Sequence, residues 1–269
     1  MSPSWRDRIE AQVGPESVRL THRPRGWRPQ APRGIDVPCV AEGPRPAAAV
    51  AALADGLARL GVPRAAVSVC LSHRFVRLAL VPGGRELRDE AEREAAARHG
   101  LRKVVGDEAQ QWRVVLDGEA GRGAAVAAGI EPGLFDGLAS ALSQAQVRGA
   151  AIEPLLSVAV RRCRAALAAG PAWLAVAEPG QVVLAALDRG DWQRLRTHRL
   201  RAPLAQELPG LLAQAGLVEG LPELRRLVLA TQGLPAPAWP EGGDWDVVTV
   251  RLDADPVEAA PPPSRGGHA

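Results

Sequence analysis

The sequence lacks any long apolar run. Its 269 residues are 46% hydrophobic, yet no stretch approaches the roughly 18 uninterrupted apolar residues that a membrane-spanning helix requires. The opening residues 1–7 also lack the apolar segment of a signal peptide. We therefore expect a globular protein that stays in the cytoplasm.

Cysteine is scarce, and its positions exclude the common metal and redox motifs. The three cysteines stand far apart, in no C-x-x-C spacing and in mostly apolar surroundings: Cys39, Cys70 and Cys163. Such thiols are predicted to be buried rather than reactive. The histidines are equally scattered, without the spacing of metal ligands, at positions that include His22, His99 and His198. We predict no metal site.

The sequence also lacks a large net charge. A net charge of +3 is small for a dedicated nucleic-acid binder, so we expect no nucleic-acid partner. Residues 1–34 hold seven arginines against three acidic residues, so the positive surplus is local. A solvated basic edge explains this surplus, and so does contact with an acidic partner or the anionic inner leaflet.

Aromatic residues other than tryptophan are nearly absent. The sequence has no tyrosine and only two phenylalanines, but seven tryptophans. Most of the large rings are predicted to pack in the core or at strand ends. A minority could anchor a partner.

What is present is a dense succession of short strands and amphipathic helices. Apolar spacing and end signals predict helices at 46–60, 86–99, 132–147, 154–168 and 203–215. In the charged helix 86–99, i, i+4 pairs are predicted to join Asp89 to Arg93 and Glu94 to Arg98. The helix has only a thin stripe to bury, formed by Leu87, Ala91 and Ala95. Gly100 is predicted to end it. Runs rich in Val, Leu or Ile predict strands at 8–13, 17–22, 35–40, 66–71, 75–81, 112–116, 123–128, 172–177, 181–187, 192–198, 226–230 and 246–251.

The order of these elements repeats. From the start, the chain runs through three strands, helix 46–60 and strand 66–71, and from residue 172 the same order returns. This is the plan of an α/β, actin-like fold, a duplicated RNase-H-like fold with two lobes. We predict a first lobe at 1–153 with an inserted accessory subdomain at about 66–128, a second lobe at 154–253, and a disordered Pro-rich tail at 254–269.

Three turns bear on whether the chain binds a nucleotide. In actin-like ATPases, each lobe opens with a strand, a turn of the form acid-x-Gly and a second strand, so that backbone N–H groups face phosphate while the acid orders a metal ion. Here the first turn has Gln12 and Gly14, the second has Glu178 and Gly180, and the adenosine-side turn is Thr231–Gly233.

The first turn and the middle of the chain resemble the PilM and GspL proteins of type IV pilus and type II secretion systems. Residues 12–19 are similar to the PilM pattern Asp-Ile-Gly followed by Val-Lys, with Gly14 and Val18 kept, Gln12 in place of the aspartate and Arg19 in place of the lysine. Residues 67–77 and 86–94 resemble the PilM strand pair and its Glu-rich helix. The resemblance extends over about residues 8–252.

This resemblance implies a non-enzymatic scaffold on the cytoplasmic side of the inner membrane. PilM-like proteins grip the short cytoplasmic tail of a bitopic subunit such as PilN or contact the assembly ATPase, so we expect such partners and a peripheral membrane location. The partner groove is predicted beside strands 66–81 and the Glu-rich helix, with Arg74 and Arg77 as its contacts. Gly14, Glu178, Gly180 and Gly233 would line a relic nucleotide cleft without a cofactor.

The loss of nucleotide binding is inferred from the turns themselves. Gln12 cannot supply the charge that holds hydrated Mg²⁺, Arg19 is a bulky fork where a compact ammonium is expected, and Gln232 adds a side chain where backbone must approach the nucleotide. The alternative is a nucleotide-dependent actin-like ATPase, with Glu178 ordering Mg²⁺ while Gly14 and Gly233 flank ATP.

Other chemistries have less support. An RNase-H-like nuclease needs clustered carboxylates on the first strand, where only Glu10 and Gln12 stand. Ser72 and His73 place a hydroxyl next to an imidazole, as in a nucleophile and its base. Neighbouring strand residues point to opposite faces, however, and no acid partner is evident, so a plain turn is predicted. The glycine pairs at 83–84 and 121–123 lack a following Lys-Ser or Lys-Thr and are interpreted as hairpin loops.

Overall fold

The computed structural model describes residues 7–25, 30–40, 45–117, 123–237 and 244–253. The predicted disordered tail, 254–269, lies outside the described residues, as do Trp5, Trp27 and Trp239. The described chain divides into two compact units, each built on one five-stranded sheet. The first comprises the described residues up to Val158 with Asp191–Leu195, and the second comprises Ala159–Gly190 with those from Arg196 onward.

The first sheet has the strand order β3-β2-β1-β4-β8. Its strands are β1 (Arg8–Val13), β2 (Ser17–Arg23), β3 (Arg33–Pro38), β4 (Ala66–Leu71) and β8 (Gly149–Pro154). The first three form an antiparallel meander, while β1, β4 and β8 run parallel. The carboxyl ends of these parallel strands therefore meet at one edge of the sheet.

Two helices of the first unit pack on one another. Helix α1 (Arg45–Leu60) buries Ala49, Leu53 and Leu57, and helix α3 (Pro132–Gln144) buries Leu134, Leu138 and Leu142. The close approach of the two helices depends on the absence of a side chain at Gly137 of α3, because a Cβ there would lie 2.8 Å from Cγ2 of Val50 on α1. The backbone of α3 at Gly137 therefore packs directly against the side chain of Val50.

A three-stranded accessory sheet is inserted between β4 and α3. Its order is β5-β7-β6, from β5 (Val76–Val81), β6 (Arg113–Asp117) and β7 (Ala125–Ile130), all antiparallel. Helix α2 (Glu90–Val105) covers one face, with Ala97 and Leu101 buried. The predicted insertion started at residue 66, but β4 pairs with β1 and β8, so that boundary is wrong and the insertion begins after β4.

The charged helix differs from its prediction in both ends and buried face. Asp89 caps α2 by accepting the N–H groups of Ala91 and Glu92, and the helix continues through Gly100 to Val105. Gly100 therefore does not end the helix. It is buried against β5, where a Cβ on residue 100 would lie 2.9 Å from Cγ2 of Val81.

The predicted stripe is wrong at Ala91 and Ala95, which are exposed, whereas Leu87 is partly buried and packs against the core of the accessory subdomain. The Glu94–Arg98 pair is present at 2.5 Å. Arg93, expected to pair with Asp89, donates to the carbonyl oxygens of Leu87 and Leu116.

The second unit repeats the first sheet with the order β11-β10-β9-β12-β13. Its strands are β9 (Ala172–Glu178), β10 (Gln181–Asp188), β11 (Asp191–Arg199), β12 (Arg226–Thr231) and β13 (Asp246–Arg251). Helix α6 (Leu204–Val218) packs Leu208 and Leu212 into a core with Trp173. The repeated strand order confirms the predicted duplication and the α/β actin-like fold class.

Two short helices stand where one helix was predicted. Helix α4 (Leu155–Arg162) and helix α5 (Arg164–Ala168) are separated at Cys163. That thiol is buried, and desolvation raises its pKa to about 11, so it is an inert packing group. Cys39 and Cys70 are half-buried. Within the described ranges, no helix combines the length and apolar character needed to cross a membrane.

Candidate functional site

The first turn is closed on itself. Three residues, 14–16, connect β1 to β2, and the N–H of Gly14 donates to the carbonyl oxygen of Ser17 at 3.0 Å. A phosphate loop works by pointing such N–H groups outward. In this conformation the N–H of Gly14 is already used within the hairpin.

An ion pair crosses the same turn. Nη1 of Arg74 lies 2.9 Å from Oε1 of Glu16, and the backbone N–H of Cys39 donates to the carbonyl oxygen of Glu16. Arg74 is 30% exposed, while Glu16 is 66% exposed. Burial and the neighbouring Glu16 both raise the pKa of Cys39, so this thiol is protonated rather than nucleophilic. Arg74 therefore serves to hold the turn and to neutralise its acid.

A small groove opens beside this ion pair. Its volume is about 160 Å³, and it is lined by Pro15, Pro46, Arg74, Phe75, Glu131 and Leu134. The lining is mainly apolar, with Phe75 and Leu134 buried in its wall. A cavity of this size holds one benzene-sized group. The groove can therefore take a single aliphatic or aromatic side chain.

One acid stands exposed at the groove. Glu131 is the residue before α3, and its side chain makes no capping hydrogen bond in the described structure. Because Arg74 is paired with Glu16, the local charge at the groove is negative. The groove thus offers an apolar pocket next to a carboxylate.

The predicted contact residues are only partly brought together. Arg74 lines the groove, but Arg77 is not among its lining residues and donates to the carbonyl oxygens of Arg74 and Val76 at 3.4 Å. The groove includes Arg74 and Phe75 of the predicted region 66–81, but it lies at the starts of α1 and α3 rather than beside the Glu-rich helix α2, which was also predicted to flank it. Sequence reasoning missed Pro15, Pro46 and Glu131; the Glu131-Pro132 helix start was the available signal.

The Ser72–His73 segment forms the predicted turn. Oγ of Ser72 accepts the N–H of Arg74 at 3.1 Å, and the carbonyl oxygen of Ser72 accepts the N–H of Phe75. His73 is 1% exposed, and desolvation lowers its pKa to about 3. The imidazole is therefore neutral and packed at the end of β4.

In the second unit, three of the predicted site residues meet at the carboxyl edge of the sheet. Glu178 is the last residue of β9, and Gly180, at φ 77°, lies in the two-residue turn that leads to β10. Gly233, at φ 65°, follows β12, and its Cβ would lie 3.9 Å from Cδ of Pro179. Gly14 lies in the other unit.

At this edge of the sheet, the polar side chains of Glu178 and Thr231 are buried. Glu178 is only 5% exposed, and the N–H of Gln232 donates to the carbonyl oxygen of Ala177 at 2.8 Å. Thr231 is fully buried, and its hydroxyl has no hydrogen-bond partner among the described residues. Over the same residues, no three His, Cys, Asp or Glu side chains are grouped as a metal ion would require.

The chain is similar to known proteins in its three-dimensional structure. No protein-family model and no curated protein matches the sequence. A Bacteroides thetaiotaomicron protein of unknown function with an actin-like ATPase fold is similar at a TM-score of 0.57 and 10% identity, covering 88% of this chain and 86% of that one.

Two further structures belong to secretion and pilus machines. The cytoplasmic domain of EpsL, an inner membrane component of the type II secretion system of Vibrio cholerae, has a TM-score of 0.56 at 15% identity and covers 91% of this chain and 90% of its own. A chain of the PilM–PilN type IV pilus biogenesis complex has a TM-score of 0.54 at 18% identity, covering 83% and 81%. The protein therefore has the actin-like fold found in PilM and EpsL.

Proposed function

We propose that this chain is a non-enzymatic scaffold of a type IV pilus or type II secretion system, which docks the cytoplasmic tail of an inner-membrane subunit. The observation that carries the proposal is the groove at the first turn, in a fold shared with EpsL and with the PilM–PilN complex. The assembly ATPase of such a machine is a second expected partner. The protein would then act at the cytoplasmic face of the inner membrane without binding a cofactor.

The shape of the groove supports a peptide ligand. A pocket of about 160 Å³ is too small for a nucleotide but fits one apolar side chain of an extended segment. Two prolines at its rim, Pro15 and Pro46, have no N–H groups that need partners. A tail that inserts one apolar anchor would be held mainly by burial of that side chain.

The charge of the groove supports the same kind of ligand. Cytoplasmic segments next to a membrane span are enriched in lysine and arginine. Glu131 presents a carboxylate at the pocket, while Arg74 is neutralised by Glu16. A basic residue beside the apolar anchor would therefore find a partner in Glu131.

The first turn also supports docking over nucleotide chemistry. The N–H of Gly14 is committed to Ser17, and the ion pair of Arg74 with Glu16 crosses the turn. Gln12 provides no charge for a metal ion.

Reversing the charge of Glu131 tests the proposal. We expect Glu131→Arg to weaken binding of a fluorescent tail peptide from a PilN-type subunit of the same organism about tenfold, because the carboxylate that faces the basic peptide becomes a like charge. The affinity is measured by fluorescence anisotropy. Glu108→Arg, which reverses an exposed acid of the accessory subdomain, is the matched control and should bind like the wild type. Equal affinities of Glu131→Arg and wild type would contradict the groove assignment, and absence of wild-type binding below about 1 mM would contradict the docking function.

One observation favours a second function, a nucleotide-binding actin-like ATPase. Glu178, Gly180 and Gly233 converge at one sheet edge, where the buried hydroxyl of Thr231 has no partner among the described residues. Under the scaffold proposal, a fluorescent ATP analogue with Mg²⁺ should show no affinity below about 1 mM in equilibrium titration. Micromolar binding that Gly233→Val abolishes would contradict the scaffold proposal and locate the nucleotide at this edge, since a branched side chain is strained at φ 65°.

A further inference from the structure

Helix α6 exposes a face without a single charged residue. The exposed positions of this face are Ala205, Gln206, Pro209, Gly210, Ala213, Gln214, Leu217 and Val218. Leu217 is 75% exposed and Val218 67%. A helix face that stays in water normally carries charge. This face instead has the composition of a contact surface.

The acidic residues at either end of α6 do not change this character. Glu207 points back and accepts the backbone N–H groups of Arg201 and Ala202. Glu219, directly after the helix, pairs with Arg196 at 3.0 Å and has a side chain only 10% exposed. Neither carboxylate therefore contributes charge to the outward face.

The duplicated fold allows the exposed face of α6 to be compared with the equivalent face of α1. Helices α1 and α6 occupy the same place in the two units, and each is followed by a glycine at positive φ, Gly61 at 60° and Gly220 at 72°. Matching these glycines places Pro209, Ala213 and Leu217 where α1 has Val50, Ala54 and Ala58.

In the first unit part of that face is covered. Val50 contacts α3 at Gly137, whereas Ala54 and Ala58 line an open pocket between the C-terminal ends of α1 and α3, with Ala54 half-buried and Ala58 exposed. In the second unit the described connection between β12 and β13, residues 232–237 and 244–245, contains no helix. Among the described residues, no helix therefore covers α6 at Pro209, the position that corresponds to Val50 of α1.

The shape of the face suits a second copy of itself. Its N-terminal half is small, with Ala205, Pro209 and Gly210, and a Cβ on Gly210 would meet nothing within 4 Å. Its C-terminal half is large, with Leu217 and Val218. Two copies packed antiparallel place the large half of each against the small half of the other over about 22 Å of helix.

Charge at the two ends selects the same orientation. Arg201 is exposed just before α6, and Glu223 is exposed just after it. Antiparallel packing brings Arg201 of one protomer near Glu223 of its partner, twice by symmetry, and aligns the helix dipoles favourably. Parallel packing would set like charges together. We infer that two copies of this chain associate through α6 as an antiparallel, two-fold dimer.

Sedimentation equilibrium tests this dimer and does not depend on the docking groove. One helix pair buries an area at the low end of specific interfaces, so the mass should rise from monomer toward dimer between about 5 and 500 µM. Leu217→Glu should keep the protein monomeric over this range. Val115→Glu, which changes a 54% exposed valine of the accessory subdomain, is the control and should dimerise like the wild type.

A charge swap tests the orientation. Arg201→Glu should weaken association at least threefold, and adding Glu223→Arg should restore it, since each pair is then rebuilt with reversed signs. Circular dichroism verifies that every variant is folded. A wild type that stays monomeric at 500 µM, or a Leu217→Glu variant that associates like the wild type, would overturn the dimer. Failure of the double variant to recover would overturn the antiparallel arrangement.

Discussion

Replacing Trp173 with alanine is expected to lower the free energy of unfolding by about 3–5 kcal/mol. Trp173 is 2% exposed and is among the largest fully buried side chains of the described chain. It lies on β9, all of whose residues are buried, between Ala186 of β10 and Leu227 of β12. The loss would combine the removed apolar area with the cavity left beneath α6.

Chemical denaturation followed by far-UV circular dichroism measures this loss. Trp245→Ala serves as the matched control, because Trp245 is only partly buried and packs at the margin of the same core, 5.7 Å from the guanidinium of Arg225. The control should lose about 1–2 kcal/mol. A Trp173→Ala variant that is no less stable than Trp245→Ala would show that this core does not hold the second unit together.

Acid is expected to destabilise the protein through His73. Burial lowers the pKa of its imidazole to about 3, whereas an unfolded histidine titrates near pH 6.5. Between these values the unfolded chain binds a proton that the folded chain excludes, so stability falls as the pH falls. From pH 6 to pH 4 this one group should remove roughly 2–3 kcal/mol, and above pH 7 its contribution should be constant.

Comparison of two variants isolates this effect from the carboxylates, which also titrate in acid. His73→Gln replaces the imidazole by a side chain that does not ionise, and its stability should fall less steeply between pH 6 and pH 4 than that of the wild type. His99→Gln changes an exposed histidine of α2 and should keep the wild-type slope. The measurement is the free energy of unfolding in urea at each pH. Parallel curves for His73→Gln and wild type would contradict the assignment.

Local pattern was enough to predict most elements. The alternation of β1 and β2 and the apolar run of β9 reflect direct burial of one or both strand faces, which residue order alone encodes. The strand β8 was missed because Gly149, Ala150 and Ala151 have low strand propensity. Pairing with β4, more than 75 residues earlier in the chain, makes this segment a strand.

The groove could not be predicted from neighbouring residues. Pro15, Pro46, Phe75 and Glu131 come from four distant places in the chain, three connections and the first turn of α1, and only the packed sheet and helices bring them together. Likewise, the sequence marked Arg74 as a partner contact, but folding places it against Glu16, 58 residues away. A long flexible arginine takes whichever acceptor the tertiary structure brings near, which its sequence neighbours do not reveal.

The duplicated order of strands and helices, and with it the actin-like fold, was determined by the sequence alone, because burial periodicity and turn residues act over a few neighbouring positions. Tertiary structure alone decided that Gly100 packs against Val81 instead of ending α2 and that the N–H of Gly14 is bonded to the carbonyl oxygen of Ser17. It also decided that, within the described part of the chain, no helix packs on α6 as α3 packs on α1. These features depend on contacts between distant segments, and their energies are set by distances that exist only after the chain has folded.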